Sequence, residues 1–214
     1  ALVTGAGQGM GRAIARRFAA EGAIVVALDL NLAAAEETLA GAGGQSIARS
    51  LNVGDSAAVA ALVDEVVATF GRVDVLVNSA GHGPRAPILE ISDEDWHQGM
   101  ETYLLNVIRP TRLVTPIMQR QRDGVIINIS TAWAFEPSEM FPTSAVFRAG
   151  LQTQRQHGAA HAAVGVQAAP GALEGGLEVF RLVHGLAMQA VGAGERGEIV
   201  ARGERSSHRL EPTV

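Results

Sequence analysis

Four alternating glycines, Gly5, Gly7, Gly9 and Gly11, lie in the stretch Thr4-Gly5-Ala6-Gly7-Gln8-Gly9-Met10-Gly11. Ala1 to Thr4 before them reads as the end of an apolar strand, and Gly11 to Glu21 after them has helical spacing. Between a strand and a helix, Gly5 permits a tight turn and Gly9 lets backbone amides approach a diphosphate. Gly11 allows the helix to pack closely on the strand, and the helix N-terminus then faces the negative charge. A second apolar run, Ala23 to Leu30, carries Asp29 eighteen positions past Gly11. An acid there accepts hydrogen bonds from both adenosine ribose hydroxyls and repels a 2′-phosphate. Gln8 supplies no positive charge for such a phosphate, so the turn predicts NAD rather than NADP, with Gln8 and Met10 lending their backbone to the same site.

The pattern continues along the chain. Ser46 to Val53, Val73 to Asn78 and Val125 to Ile129 read as further buried strands. Helical patterns cover Leu32 to Ala42, Ser56 to Phe70, Asp93 to Met118 and Pro142 to Val164. Asp55-Ser56 and Ser92-Asp93-Glu94-Asp95 place short polar side chains and early carboxylates at two helix starts. Buried strands alternating with amphipathic helices predict an α/β fold, a Rossmann-like doubly wound parallel sheet with helices on both faces. No repeat or linker divides the chain, so residues 1–214 read as a single dinucleotide-binding domain. Leu177 to Val191 has helical spacing, Glu198 to Ala201 reads as a short strand, and 202–214 as a polar C-terminal tail.

Composition narrows the function classes. There is no apolar run near the roughly 18 to 20 residues of a membrane span, and the chain opens on a strand without the regions of a signal peptide. No membrane association and a cytoplasmic location are the expectations. With 22 acidic and 17 basic residues the net charge is -5, which argues against binding nucleic acid phosphates. No cysteine is present, so there is no thiolate nucleophile or disulfide, and six scattered histidines without paired spacing predict no metal site. All the basic residues are arginine; the chain has no lysine.

With Thr4-Gly5-x-x-x-Gly9-x-Gly11 in place, the chain resembles the short-chain dehydrogenase/reductase family from Ala1 to about Gly171. Asn78-Ser79-Ala80-Gly81 is similar to that family's Asn-Asn-Ala-Gly motif. Trp96, Pro116, Met118, Asn128-Ile129-Ser130 and Pro170-Gly171 fall where the family keeps such residues. The resemblance implies that Asn78, Ala80, Gly81, Pro170 and Gly171 belong to the cofactor site. Asn52 and Val53 join them, with Asn52 standing where the family usually has Asp; its amide offers a donor and an acceptor to an adenine edge.

The family's chemistry uses a tyrosine acid/base, a lysine four residues later, a serine that polarises the substrate oxygen and an asparagine behind a relay water. By spacing from Asn128, the serine position is Thr131, the tyrosine position Ser144 and the lysine position Arg148. From Trp96, the asparagine position is Tyr103, with Asn106 a rival one turn on. Thr131 keeps a hydroxyl. Ser144 is the severe change, since an aliphatic hydroxyl does not lose its proton near neutral pH as a tuned phenol can. Arg148 keeps the charge but not the shape of lysine.

Three functions compete on this reading. One is a non-catalytic subunit of a heteromeric NAD-dependent alcohol dehydrogenase or carbonyl reductase, a dimer or tetramer completed by a related subunit with an intact tetrad. Another is an active oxidoreductase with a relocated acid/base pair, Tyr103 with Arg148, a nearby cation favouring phenolate. The last is a dinucleotide-binding regulator. His82 reads first as a solvated loop residue, and Arg109, Arg112, Arg120 and Arg122 as a solvated helix face. Trp133, Phe135, Met140 and Phe141 read as lining a substrate pocket or packing a subunit interface.

Overall fold

The computed structural model describes residues 1–152 and 163–168. Six strands form one parallel sheet in the order β3-β2-β1-β4-β5-β6: β1 (Leu2–Thr4), β2 (Val26–Asp29), β3 (Ile47–Ser50), β4 (Val75–Asn78), β5 (Val125–Thr131) and β6 (Ala163–Ala168). The helices are α1 (Gly9–Ala20), α2 (Leu32–Thr38), α3 (Ser56–Phe70), α4 (Asp93–Met100), α5 (Asn106–Gln121) and α6 (Pro142–Gln152).

The apolar runs become strands because both sheet faces are covered. Val3, Ala27, Val77 and Ile127 pack with Ile14, Ala15 and Phe18 of α1 and Ala35 of α2. Their strand neighbours Leu2, Val26, Leu28, Leu76 and Ile126 pack on the opposite face with Val59, Leu62, Val63 and Val66 of α3 and Val114 and Met118 of α5. Leu76, Ile126 and Ile127 are at most 1% exposed, and burying each such side chain contributes about 1.5–3 kcal/mol. Helix starts follow the polar signals. The Asp55 carboxylate accepts the N–H groups of Ala57 and Ala58 at 2.9 and 3.0 Å. The Ser92 hydroxyl accepts the Asp95 N–H while the Asp95 carboxylate accepts that of Ser92, both at 3.1 Å. Gly71, at φ 75°, ends α3 in the left-handed conformation that glycine tolerates.

Two expectations need correction. The stretch from Asp93 to Met118 is not one regular helix: Glu101–Leu105 form a π-helical turn between α4 and α5. Neither Pro nor Gly marks it; the turn lies where the tight glycine loop after β4 presses on Thr102 and Tyr103. The helix read over Pro142 to Val164 ends within it. Pro142–Gln152 form α6, and Ala163 and Val164 begin β6, whose backbone pairs with β5 from Ile126 to Thr131. Val164, Gly165 and Val166 are poor helix formers, and their backbone finds partners on the free edge of β5. Pro170 and Gly171, the Leu177 helix, the Glu198 strand and the tail 202–214 lie outside the described residues.

Candidate functional site

Strand order reverses direction between β1 and β4, and in open α/β sheets a ligand crevice forms at the carboxyl ends of the strands at such a point. Thr4 ends β1 there, 1% exposed. Its hydroxyl donates to the Val77 carbonyl at 3.3 Å and accepts the N–H groups of Ser79 and Ala80 at 3.1 and 3.2 Å. The glycine turn after β1 and the Asn78 loop after β4 are therefore held together by one side chain.

Close approach explains the glycines. A Cβ on Gly5, which sits at φ 66°, would lie 2.9 Å from the Ala80 backbone. One on Gly11 would enter the Gly5 carbonyl oxygen, and one on Gly7 would lie 2.6 Å from the Asp29 carboxyl carbon. Gly9, at φ 54°, faces open space. Gln8 is the N-cap of α1 and gives no side-chain cap, so the first amides of the helix are left for another acceptor. Asp29 accepts the Gly7 N–H at 2.8 Å and the Asn31 N–H at 3.0 Å, one on each oxygen. A carboxylate has about four acceptor sites, so capacity for ribose hydroxyls remains. These features fit a nicotinamide dinucleotide, with the diphosphate over Gly9 and the N-terminus of α1. Met10 is partly buried against the apolar core beside the turn. Asn52, on the exposed loop before α3, spends its carbonyl on the Gly54 N–H at 2.9 Å. The donor half of its amide is the part left to an adenine edge, which narrows the role expected of it. Val53, next to it, packs against the core of the α3 face.

The β4 end is built differently. Asn78 is 2% exposed, and its side-chain N–H groups go to Asn128 Oδ1 at 2.8 Å and Thr111 Oγ1 at 3.3 Å. Its amide N–H groups thus tie β4 to β5 and α5, while its Oδ1 accepts no hydrogen bond among the described residues. Ala80 offers its carbonyl to the Asn106 amide, and Gly81, at φ 137°, leaves no room for a Cβ beside that same amide. The rival Asn106 is therefore committed to the loop.

Tyr103 and Arg148 do come together. The phenol is 5% exposed, and its oxygen accepts the Gly83 N–H at 2.8 Å. The Arg148 guanidinium carbon lies 5.1 Å from the Tyr103 ring centroid, over its face, and NH1 donates to the Ile129 carbonyl. Burial holds the guanidinium below its ordinary pKa, with Tyr103 acting in the opposite sense. Ser144 is 4% exposed, one helical turn before Arg148 on α6. Thr131 is partly exposed, and its hydroxyl accepts the Trp133 N–H only at 3.4 Å. Beyond it Trp133 stacks on Phe141 with centroids 3.9 Å apart, and the Arg85 guanidinium lies 4.5 Å from the Phe141 centroid. Phe135 and Met140 are exposed beside them, and His82 is exposed in the loop after β4.

Sequence reasoning missed several residues. Arg12 grips the Gly7 carbonyl and pairs with Glu37, while the Thr38 hydroxyl donates to the Ala6 carbonyl at 2.7 Å. No motif pairs α1 with α2; only the fold does. Arg109 was expected on a solvated face, but its side chain is 13% exposed and lies 2.7 Å from Glu101 across the π turn, with Nε on Ser56 at 3.0 Å.

A parallel sheet switching at β1 and β4 under this glycine turn defines a nucleotide-binding α/β protein. The family profile of the short chain dehydrogenases matches residues 1–170, and the chain belongs to that family. It is 38% identical over 133 residues to the 3-oxoacyl-acyl-carrier-protein reductase FabG of Thermotoga maritima, covering 61% of this chain and 54% of that protein. The D-threitol dehydrogenase of Mycolicibacterium smegmatis is 40% identical over 134 residues, covering 61% and 52%. The chain thus spans about half the length of these curated relatives. The crystal structure of a short-chain dehydrogenase/reductase from Burkholderia xenovorans superposes with a TM-score of 0.70 at 31% identity, covering 79% of this chain and 73% of that one. Among the described residues no helix is long and apolar enough to cross a membrane.

Proposed function

We propose that this chain binds a nicotinamide dinucleotide, NAD(H) in preference to NADP(H), as a non-catalytic subunit of an oligomeric dehydrogenase or carbonyl reductase. The dinucleotide supplies hydride chemistry when bound. Gly5, Gln8, Gly9, Met10 and Gly11 cradle it, Asp29 takes the adenosine ribose, and Asn52, Val53, Ala80 and Gly81 border it, with Pro170 and Gly171 assigned by resemblance.

One observation carries the non-catalytic reading. Arg148, at the family's lysine position, is committed to the Ile129 carbonyl and the Tyr103 ring face. The matching acid position holds Ser144, a buried aliphatic hydroxyl, which is not an acid near neutral pH. Neither Ser144 nor Thr131 replaces a tuned phenol. Oligomers are the rule in this family, and Ile88, Leu89, Phe135, Met140 and Val146 stand exposed as surface for a partner. A related chain with a complete tetrad would supply the acid.

The test is calorimetric titration with both reduced dinucleotides, followed by turnover assays on alcohols and ketones. NADH binding tighter than NADPH, without turnover by the isolated chain, is expected. Tighter NADPH binding removes the Asp29 assignment.

A second reading, an active enzyme using Tyr103 with Arg148, is favoured by the 5.1 Å contact between them. Against it, the buried phenol oxygen already accepts the Gly83 N–H. Turnover by the isolated chain that falls about a hundredfold in Tyr103→Phe would establish it.

A further inference from the structure

We propose that Arg12 is a positioning residue for the diphosphate: by holding the Gly7 carbonyl it fixes the Gly7–Gln8 peptide so that the Gln8 N–H faces the ligand. The inference rests on the dinucleotide reading above. The first helical bond of α1 at this end runs from the Arg12 N–H to the Gln8 carbonyl at 3.1 Å. The Gly7 carbonyl stands one residue before it, outside that bond. Both Nε, at 2.9 Å, and NH2 of Arg12 donate to this carbonyl. On its far side the same guanidinium meets Glu37, with NH1 at 3.2 Å and NH2 at 3.3 Å from the two carboxylate oxygens. A planar fork held at both ends has little freedom to rotate.

The peptide bond transmits that constraint. In a trans peptide the C=O and N–H point in opposite directions, and no cis bond is present among the described residues. With the Gly7 oxygen drawn toward Arg12, the Gln8 N–H is turned away from Arg12. The Gly7 N–H meanwhile donates to Asp29 at 2.8 Å. That N–H belongs to the Ala6–Gly7 peptide, so the carboxylate assigned to the ribose is held apart from the Gly7–Gln8 peptide that Arg12 fixes. Glu37 is secured in turn: Arg16 NH2 donates to its carbonyl at 3.2 Å, and Thr38 next to it is bonded to Ala6 at 2.7 Å.

The test compares ADP-ribose, which carries the diphosphate, with adenosine, which lacks it, by ligand-observed NMR titration of the full chain. Arg12→Gln is expected to raise the Kd for ADP-ribose about tenfold, the loss of a charge-assisted hydrogen bond, with adenosine unchanged. Arg12→Lys restores little, because an ammonium lacks the fork. Glu37→Gln keeps the bond to Gly7 but frees its other end, and raises the ADP-ribose Kd about threefold; it carries the test alone if Arg12→Gln does not fold. Equal losses for ADP-ribose and adenosine, or no loss for either, overturn the proposal while leaving the dinucleotide reading intact. A wild-type chain that binds no ADP-ribose overturns both.

Discussion

At the β1–β2 end of the crevice, Thr4, Arg12, Asp29 and Thr38 each have their polar side-chain atoms engaged by backbone groups or, for Arg12, also by Glu37. At the β4–β5 end, Asn78 Oδ1, Asn106 Oδ1, Ser130 Oγ and Thr143 Oγ1 are each buried without a hydrogen-bond partner. Leaving a polar group unsatisfied costs about 1–3 kcal/mol, so the two ends differ in how tightly the sequence specifies them. Polar groups paired within the protein hold one another in place, whereas the open acceptors and hydroxyls of the second end are the ones that water or a ligand can meet. The first end carries the intact glycine motif. All four positions of the family's catalytic tetrad that read as substituted, Tyr103, Thr131, Ser144 and Arg148, lie at the second.

The contrast predicts substitutions of different size and sign. Gly11→Ala should be the most damaging, because its Cβ meets the Gly5 carbonyl rather than a flexible side chain. A loss of about 3 kcal/mol is expected, outweighing the roughly 1 kcal/mol that Ala gains over Gly in a helix. Urea unfolding checks it; a stable variant would show that the turn yields to the added methyl group. Tyr103→Phe leaves the buried Gly83 N–H without its acceptor and should cost about 1–3 kcal/mol, read by the same unfolding curve.

Arg148→Met should act in the opposite direction. The cation is partly buried and makes no carboxylate salt bridge among the described residues. Replacing it with an apolar chain of similar length removes the desolvation cost of an unpaired cation, which offsets the bond lost at the Ile129 carbonyl, and is expected to be neutral or to stabilise by about 1 kcal/mol, measured by thermal melting. A large destabilisation would mean that this end is as tightly specified as the other. Ser92→Ala removes the cap of α4, outside both ends, and should lower Tm by about 2–4 °C. Asp95 titrates with it: the hydroxyl and N–H of Ser92 hold its carboxyl below the ordinary value. Its stabilisation is present above the ordinary carboxylate pKa and is lost as pH falls through the depressed folded value. The gap between the melting curves of the wild type and Ser92→Ala should therefore narrow in acid, the cap on the Asp95 N–H remaining.

Much of the fold was legible because each signal was local. Ser56 to Phe70 reads as a helix with its start marked by Asp55-Ser56, and the structure gives α3 that span. The run Val73 to Asn78 likewise ends where β4 ends, and Ala23 to Leu30 contains β2, which ends at Asp29. What escaped was decided across the fold. The strand over Ala163–Ala168 exists through pairing with β5, the π turn where a glycine loop meets Tyr103, and the Arg12 clamp because α2 brings Glu37 to α1. The glycine turn could be read from spacing, since only glycine fits those positions. The role of Asn78 could not, because its partners Thr111 and Asn128 stand 33 and 50 residues away along the chain.

Tyr103 is the sole tyrosine in the chain. Its phenol is wedged between Gly83 and Arg148, at the seam where the loop after β4, the π turn and α6 meet. The protein therefore carries a built-in optical reporter at that seam. In ultraviolet resonance Raman spectra its phenol bands arise from one residue and need no assignment by mutagenesis. Whether that oxygen accepts, donates or does both can be followed while dinucleotide, substrate or a partner chain is added, so events at the crevice can be watched without a label.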